Sequence, residues 1–199
     1  MKICLTLALF VFSALWANAQ LAPMQLPKKI TWVEETSARN ARGEVTRTCN
    51  VFSIEGENWR CEFANQQAEI AITVCSQGKV TSSQTPAPSP SEGPATDLTS
   101  IYSALSSKAK FEVVDIIGGV GYSRFRETGS SGYTRLIWMD RTIGFPRRIS
   151  TTLPDGSVRE QSMRVLNVDT SLERRLFNAS NLYPFFGHYL DEWHARLTK

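Results

Sequence analysis

RLIWMDRTIGFPRRISTTLPDGSVRE, residues 135–160, reads as three strands joined by two short turns. Arg135 to Met139 and Phe145 to Leu153 place bulky residues at alternate positions, while Asp140 to Gly144 and Pro154-Asp155-Gly156-Ser157 carry turn chemistry. Nothing in the stretch looks catalytic. The same pattern runs on in both directions: Val158 to Val168 downstream, and upstream Tyr133 to Met139, Tyr122 to Glu127 and Phe111 to Ile117, with Gly118-Gly119 and Thr128 to Gly132 between. In the N-terminal half, Lys29 to Thr36, Val45 to Ser53, Asn58 to Phe63, Glu69 to Cys75 and Lys79 to Ser83 alternate likewise. Gly43, Gly56, Asn65-Gln66-Gln67 and Gly78 separate them. Successive antiparallel hairpins follow, so the fold class is mainly β with some α.

One interruption breaks the meander. Four prolines in SQTPAPSPSEGPAT cannot continue a sheet or a helix, so residues 84–95 form a Pro/Ser-rich loop inside one domain. Thr96 or Asp97 then caps a short helix with Leu98, Ile101, Tyr102 and Leu105 on one stripe. Several strands are apolar on both faces, as in Leu136 and Trp138 against Tyr133, Ile137 and Met139. Such a sheet needs cover on each side, or must curve around an apolar hollow.

The first residues predict export. Lys2, the apolar run Leu5 to Trp16 and the small residues of Ala17-Asn18-Ala19 form a signal peptide, residues 1–19, cut after Ala19. The run is shorter than the roughly 20 residues a membrane span needs. No cysteine follows the cut, which argues against lipid modification there. Residues 20–199 then form a single exported domain with 21 basic and 19 acidic side chains and no long run of one sign. A concentrated basic face for nucleic acid is absent from that pattern. Arginines 124, 126, 135, 141, 147, 148 and 159 do gather in the C-terminal sheet region, as solvated strand edges or as a basic rim for anionic head groups or a partner protein.

Cys49, Cys61 and Cys75 remain after cleavage, an odd number for an oxidising compartment. Cys49 and Cys61 flank the turn near Gly56, so a hairpin would bring them together as a disulfide, with Val51, Trp59 and Phe63 on the same alternating faces. Cys61 with Cys75, or three buried thiols, are the alternatives.

The order NWRCEF, EIAITVCSQGKV, a helix, VVDIIGGVGYSRFRET, RLIWMDRTIGFPRRI, DGSVRE and ERRLFN resembles the LolA-like periplasmic lipoprotein carriers and outer-membrane lipoprotein-sorting proteins. The strand ending in Trp138 and Asp140, the step Gly144-Phe145-Pro146-Arg147 and the pair Leu176-Phe177 carry the likeness, which covers roughly residues 28–178. Thr46-Arg47-Thr48-Cys49 departs from it, having the arginine but not the proline of the Arg-Pro step by which dedicated carriers lock their lid.

The resemblance implies a strongly curved antiparallel half-barrel with covering helices, holding acyl chains by apolar burial at about 0.8 kcal/mol per methylene. Alternation and resemblance together make Trp32, Val51, Trp59, Phe63, Ile70, Ile72, Leu136, Trp138, Phe145, Phe186 and Trp193 candidate cavity or lid positions. The last two fall in LYPFFGHYLDEWHARL, a C-terminal amphipathic helix at about 182–197 whose face of Phe185, Phe186, Tyr189, Leu190, Trp193 and Leu197 could cap the sheet, close over a ligand or meet a membrane.

Enzyme chemistry finds little support. His188 and His194 are separated by about 9 Å of helix rise, too far to grip one ion without other ligands. The serines of TGSSGY lack a nucleophile-elbow pattern, and Glu34-Glu35 and Asp191-Glu192 put neighbouring carboxylates on different faces. Asn178-Ala179-Ser180 matches a glycosylation triplet, incidental in a protein of bacterial look. The sequence therefore predicts a monomeric periplasmic protein, non-enzymatic and without cofactor or metal, that binds lipid or lipoprotein acyl chains. The alternative is a cell-envelope structural or protein-interaction module whose hollow is filled by side chains. A continuous apolar cavity above roughly 300 Å³ would separate the two.

Overall fold

The computed structural model describes residues 26–84, 94–168 and 170–198. The predicted signal peptide, residues 1–19, and residues 85–93 of the predicted Pro/Ser-rich loop lie outside them. Ten strands form, where the alternation places them: β1 (Lys29–Arg39), β2 (Val45–Glu55), β3 (Asn58–Asn65), β4 (Ile70–Ser76), β5 (Lys79–Ser82), β6 (Lys110–Ile117), β7 (Val120–Thr128), β8 (Thr134–Asp140), β9 (Pro146–Thr152) and β10 (Val158–Val168). Among the described residues two helices accompany them, α1 (Pro94–Ser107) and α2 (Gly187–Leu197), with a 3-10 turn at Arg174–Phe177.

The strands make one antiparallel sheet in the order β5-β4-β3-β2-β1-β10-β9-β8-β7-β6. Each half of the chain is a meander, and the first and last strands pair at the centre, from Ile30↔Val168 to Arg39↔Val158. The link from β5 to β6 must therefore travel from one edge of the sheet to the other. α1 lies on that link, which is why it ends up across a face.

Side-chain alternation divides the sheet into two faces. Ile30 and Trp32 of β1, Ile54 of β2, Trp59 of β3, Cys75 of β4, Phe125 of β7, Ile137 and Met139 of β8, Ile149 of β9 and Met163 of β10 join Leu98, Ile101 and Tyr102 of α1 in one buried cluster. Eight adjacent strands laid flat would span about 34 Å, while a helix with its side chains is only about 10–12 Å wide. The sheet must curve around α1 for one cluster to hold them all. Bulges at Thr31/Trp32, Phe111/Val113 and Trp138/Met139 add local twist and bend. This is the open half-barrel with covering helices that the sequence predicts.

The outer face carries a second, smaller cluster of Val33, Cys49, Val51 and Ala64 under Leu190 and Trp193 of α2. The two helices thus cover opposite faces. α2 also begins about five residues later than the apolar pattern predicts, because Pro184 lacks an N–H and the backbone of residues 181–186 is bonded to the sheet instead.

The Cys49–Cys61 disulfide is not formed, and all three described cysteines are free thiols. The turn at Gly56, whose φ is +62°, sets the register Glu55↔Asn58, so Cys49 faces Ala64 and Cys61 faces Phe52. Cys49 lies three residues from Phe52, an odd separation that sends the two thiols to opposite faces of the sheet. Trp59 and Phe63 likewise share the inner face with Cys61, whereas Val51 shares the outer face with Cys49.

Candidate functional site

The inner face is the concave site. Its floor is aromatic at the centre, with the Trp32 ring 4.9 Å from Phe52 and 5.5 Å from Phe145, centroid to centroid. Phe145 reaches inward because the chain turns tightly before it: Gly144, at φ +63°, closes a turn in which the Asp140 N–H donates to the Phe145 carbonyl. An L-residue is disfavoured at that φ, which accounts for glycine in GFP. α1 fills the space above this floor with Leu98, Ile101 and Tyr102, so the middle of the hollow is occupied by the protein's own side chains.

Two polar details stand out against the apolar surroundings. The Trp32 indole is buried, 1% exposed, and its Nε1–H has no acceptor among the described residues. Trp N–H groups placed in protein interiors ordinarily find a partner. Tyr102 donates its hydroxyl to the Gly144 carbonyl at 2.8 Å, and among the described residues this is the side-chain hydrogen bond tying α1 to the sheet. Burial pushes the Tyr102 phenol well above its ordinary value.

Beside α1 the hollow opens into a groove of about 430 Å³, bordered by Ser100 and Ile101 of the helix and by Tyr133, Arg135, Thr151, Leu153, Arg159 and Gln161 of the sheet. Arg135 and Tyr133 both bind the buried carboxylate of Glu127. Arg159 is exposed and makes no ion pair among the described residues. The groove thus sets Ile101 and Leu153 among polar side chains, with Arg159 as the cation at its edge that has no ion pair among the described residues.

The outer face is built differently. Arg60 and Glu62 of β3 are fully buried there, paired at 2.7 Å. Arg60 also donates to the carbonyls of Asn181 (2.9 Å), Tyr183 (2.5 Å) and Leu176 (3.4 Å), and its guanidinium stacks 4.8 Å from the Phe185 ring. Glu62 accepts the backbone N–H groups of Phe185 and Phe186, both at 2.8 Å. This clasp fastens the segment leading into α2. Burial pushes the nearby Cys49 thiol up to about 12, with the Glu35 carboxylate adding to the shift.

Of the candidate positions, Trp32, Trp59 and Phe145 are buried in the hollow, and Phe63 sits half-buried on the same inner face. Val51, Ile72, Leu136 and Trp138 face outward, and Ile70 is exposed on that outer side. Trp138 donates its Nε1–H to Asp115 at 2.8 Å and is flanked by Arg124 and Arg148. Phe186 and Trp193 pack with α2 on the outer face, away from the hollow. Sequence reasoning missed Arg60 and Glu62, whose alternation with Trp59, Cys61 and Phe63 reads as a solvent-facing strand side. Their paired opposite charges at i and i+2 were the available signal.

These features define a class, an open antiparallel half-barrel with one helix in its hollow and another on its back. No known protein family and no curated protein matches the sequence. Solved structures do match. An uncharacterized conserved protein from Thermus thermophilus is 11% identical, with 79% of this chain and 87% of that one covered at a TM-score of 0.50, which shows a shared fold. MucB, in its complex with MucA from Pseudomonas aeruginosa, is 12% identical over 83% of this chain at a TM-score of 0.49. The match takes in about 60% of the MucB chain's length. A LolA superfamily protein from Nitrosomonas europaea is 9% identical over 78% of this chain and 92% of that one, at a TM-score of 0.40. At 11% identity the first of these likenesses speaks of fold alone. Among the described residues no helix is long and apolar enough to cross a membrane, and no three metal-ligating side chains cluster.

Proposed function

We propose that this chain is an exported, non-catalytic binding protein for an acyl-bearing amphiphile, taken up between α1 and the inner face of the sheet. The observation that carries the reading is the Trp32 indole N–H, buried in an apolar floor without an acceptor among the described residues. Leaving such a donor unpaired costs about 1–3 kcal/mol, and an ester or carboxyl oxygen of a ligand would satisfy it. α1 opposes entry chiefly through apolar contacts. Exposing Leu98, Ile101 and Leu105 would cost about 4.5–9 kcal/mol, which about six to eleven ligand methylenes would offset at about 0.8 kcal/mol each. Arg159, at the edge of the groove and free of an ion pair among the described residues, suits the polar end of the same molecule.

A second reading, a cell-envelope module that docks a protein partner, draws support from the filled hollow. Native mass spectra of the detergent-free protein, before and after organic extraction, test both. Extractable lipid at one per chain, reduced in Trp32→Phe, supports the binding protein. A bare mass unchanged after incubation with envelope lipids refutes it and selects the module.

A further inference from the structure

The β6–β7 hairpin is apolar where a soluble protein would be polar. Of the ten large apolar side chains that stand exposed among the described residues, six lie between positions 111 and 120, with Ile116 77% and Ile117 51% exposed. Scattered exposed apolar groups need no explanation, but a concentrated patch marks a contact surface. The tip, Ile116-Ile117-Gly118-Gly119-Val120, carries no charge. Gly118 and Gly119 have φ of +59° and +80°, the values of a two-residue hairpin turn.

The tip also projects. β6 is the edge of the sheet, and pairing of β7 with β8 begins only at Tyr122↔Asp140. Residues 116–121 therefore have no neighbouring strand beyond their own hairpin. Cationic groups sit behind them. Arg124 is paired across from Val113, about 10 Å back from Ile116 at about 3.3 Å per residue. Arg141, exposed and without an ion pair among the described residues, packs its side chain toward Gly121. Glu112 and Asp115 are engaged by Arg124 and Arg126, and those guanidinium groups hold the Glu112 carboxyl below its usual range. Residues 110–126 together carry three basic and two acidic side chains.

We infer that this hairpin is a membrane-contact element: its uncharged tip enters the acyl boundary of an anionic bilayer while Arg141 and the residual positive charge behind it meet the head groups. Interfacial segments bury apolar groups about 5–10 Å deep, which matches the setback of the arginines. A strand added along β6 would instead have to lie beside Glu112 and Asp115, and it would leave the projecting tip uncovered. The inference is independent of whether the hollow holds a ligand.

Flotation of the purified protein with phosphatidylcholine vesicles, and with vesicles containing one quarter phosphatidylglycerol, tests it. The protein should float with the anionic vesicles, less with the neutral ones, and less at high salt. Ile116→Asp should weaken partitioning at least about tenfold, Arg141→Glu should weaken it on anionic vesicles alone, and Val45→Asp, at an exposed apolar position away from the hairpin and the groove, should leave it unchanged. Thermal melts within a few degrees of the parent would show that the variants fold. No flotation with either vesicle, or equal flotation of Ile116→Asp and the parent, overturns the inference. So does a concentration-dependent dimer abolished by Ile116→Asp in the absence of vesicles, which would give the edge to a second copy of the chain.

Discussion

Replacing Glu62 with Gln puts the outer-face clasp to its sharpest test. The substitution keeps the side-chain shape but removes the charge opposite Arg60, which stays fully buried. Removing one partner of a buried ion pair costs about 3–5 kcal/mol, and here the acceptor of the Phe185 and Phe186 N–H groups is weakened as well. For a chain of this size that corresponds to a melting point lower by about 6–20 °C. The loss should also be local: releasing residues 181–186 frees α2 and uncovers Cys49, which is 0% exposed in the intact protein. Urea denaturation gives the first quantity, and the rate of Cys49 alkylation in the folded protein, followed by peptide mass, gives the second. A double variant, Arg60→Leu with Glu62→Leu, separates the clasp from an ordinary ion pair. Apolar replacement of a buried pair is often neutral, but here three carbonyls and two N–H groups lose their partners, so the double variant should remain below the parent. A Glu62→Gln protein within about 1 kcal/mol of the parent with unchanged alkylation, or a double variant as stable as the parent, would refute the reasoning.

Trp32→Phe should change stability by less than about 1.5 kcal/mol, since lost packing is offset by removal of an unpaired donor; a larger loss in urea denaturation would mean that the indole N–H is satisfied in the folded protein. Tyr102→Phe should cost about 1 kcal/mol by loss of the bond to Gly144. Because the folded state holds the Tyr102 proton more tightly than the unfolded chain, its contribution is complete below the unfolded value near 10 and falls as pH rises beyond it. The parent should therefore lose more stability between pH 9 and 11 than Tyr102→Phe does, and equal losses would contradict the assignment. Alkylation under denaturing, non-reducing conditions should label Cys49, Cys61 and Cys75 alike; a Cys49–Cys61 bridge would leave Cys75 as the one labelled thiol of the three.

The ten strands were legible because alternation is local. Each of Val45–Glu55, Asn58–Asn65 and Ile70–Ser76 carries its own period-two record, and the glycines at 43, 56 and 78 mark the turns. Which face a residue joins depends on register, and register turns on a single residue. The two-residue turn at Gly56 is enough to send Cys49 and Val51 outward and Trp59 and Cys61 inward, a distinction that the spacing between Cys49 and Cys61 does not contain. The candidate site suffered from the same limit, since apolar residues on both faces of β2, β4 and β8 look alike before the cover is known. Topology supplies the missing step. With β1 and β10 paired at the centre, the β5-to-β6 link must cross the sheet, and this brings α1 into the hollow. The chain after β10 starts from the middle of the sheet, and Arg60 and Glu62 draw it over the opposite face. The C-terminal helix is thereby assigned to the back by two charged residues on β3, whatever its own amphipathic pattern would have allowed. Of the two described helices, α1 is held to the sheet by apolar packing and the Tyr102 hydroxyl without a buried ion pair, and it is the one whose displacement the proposed binding requires.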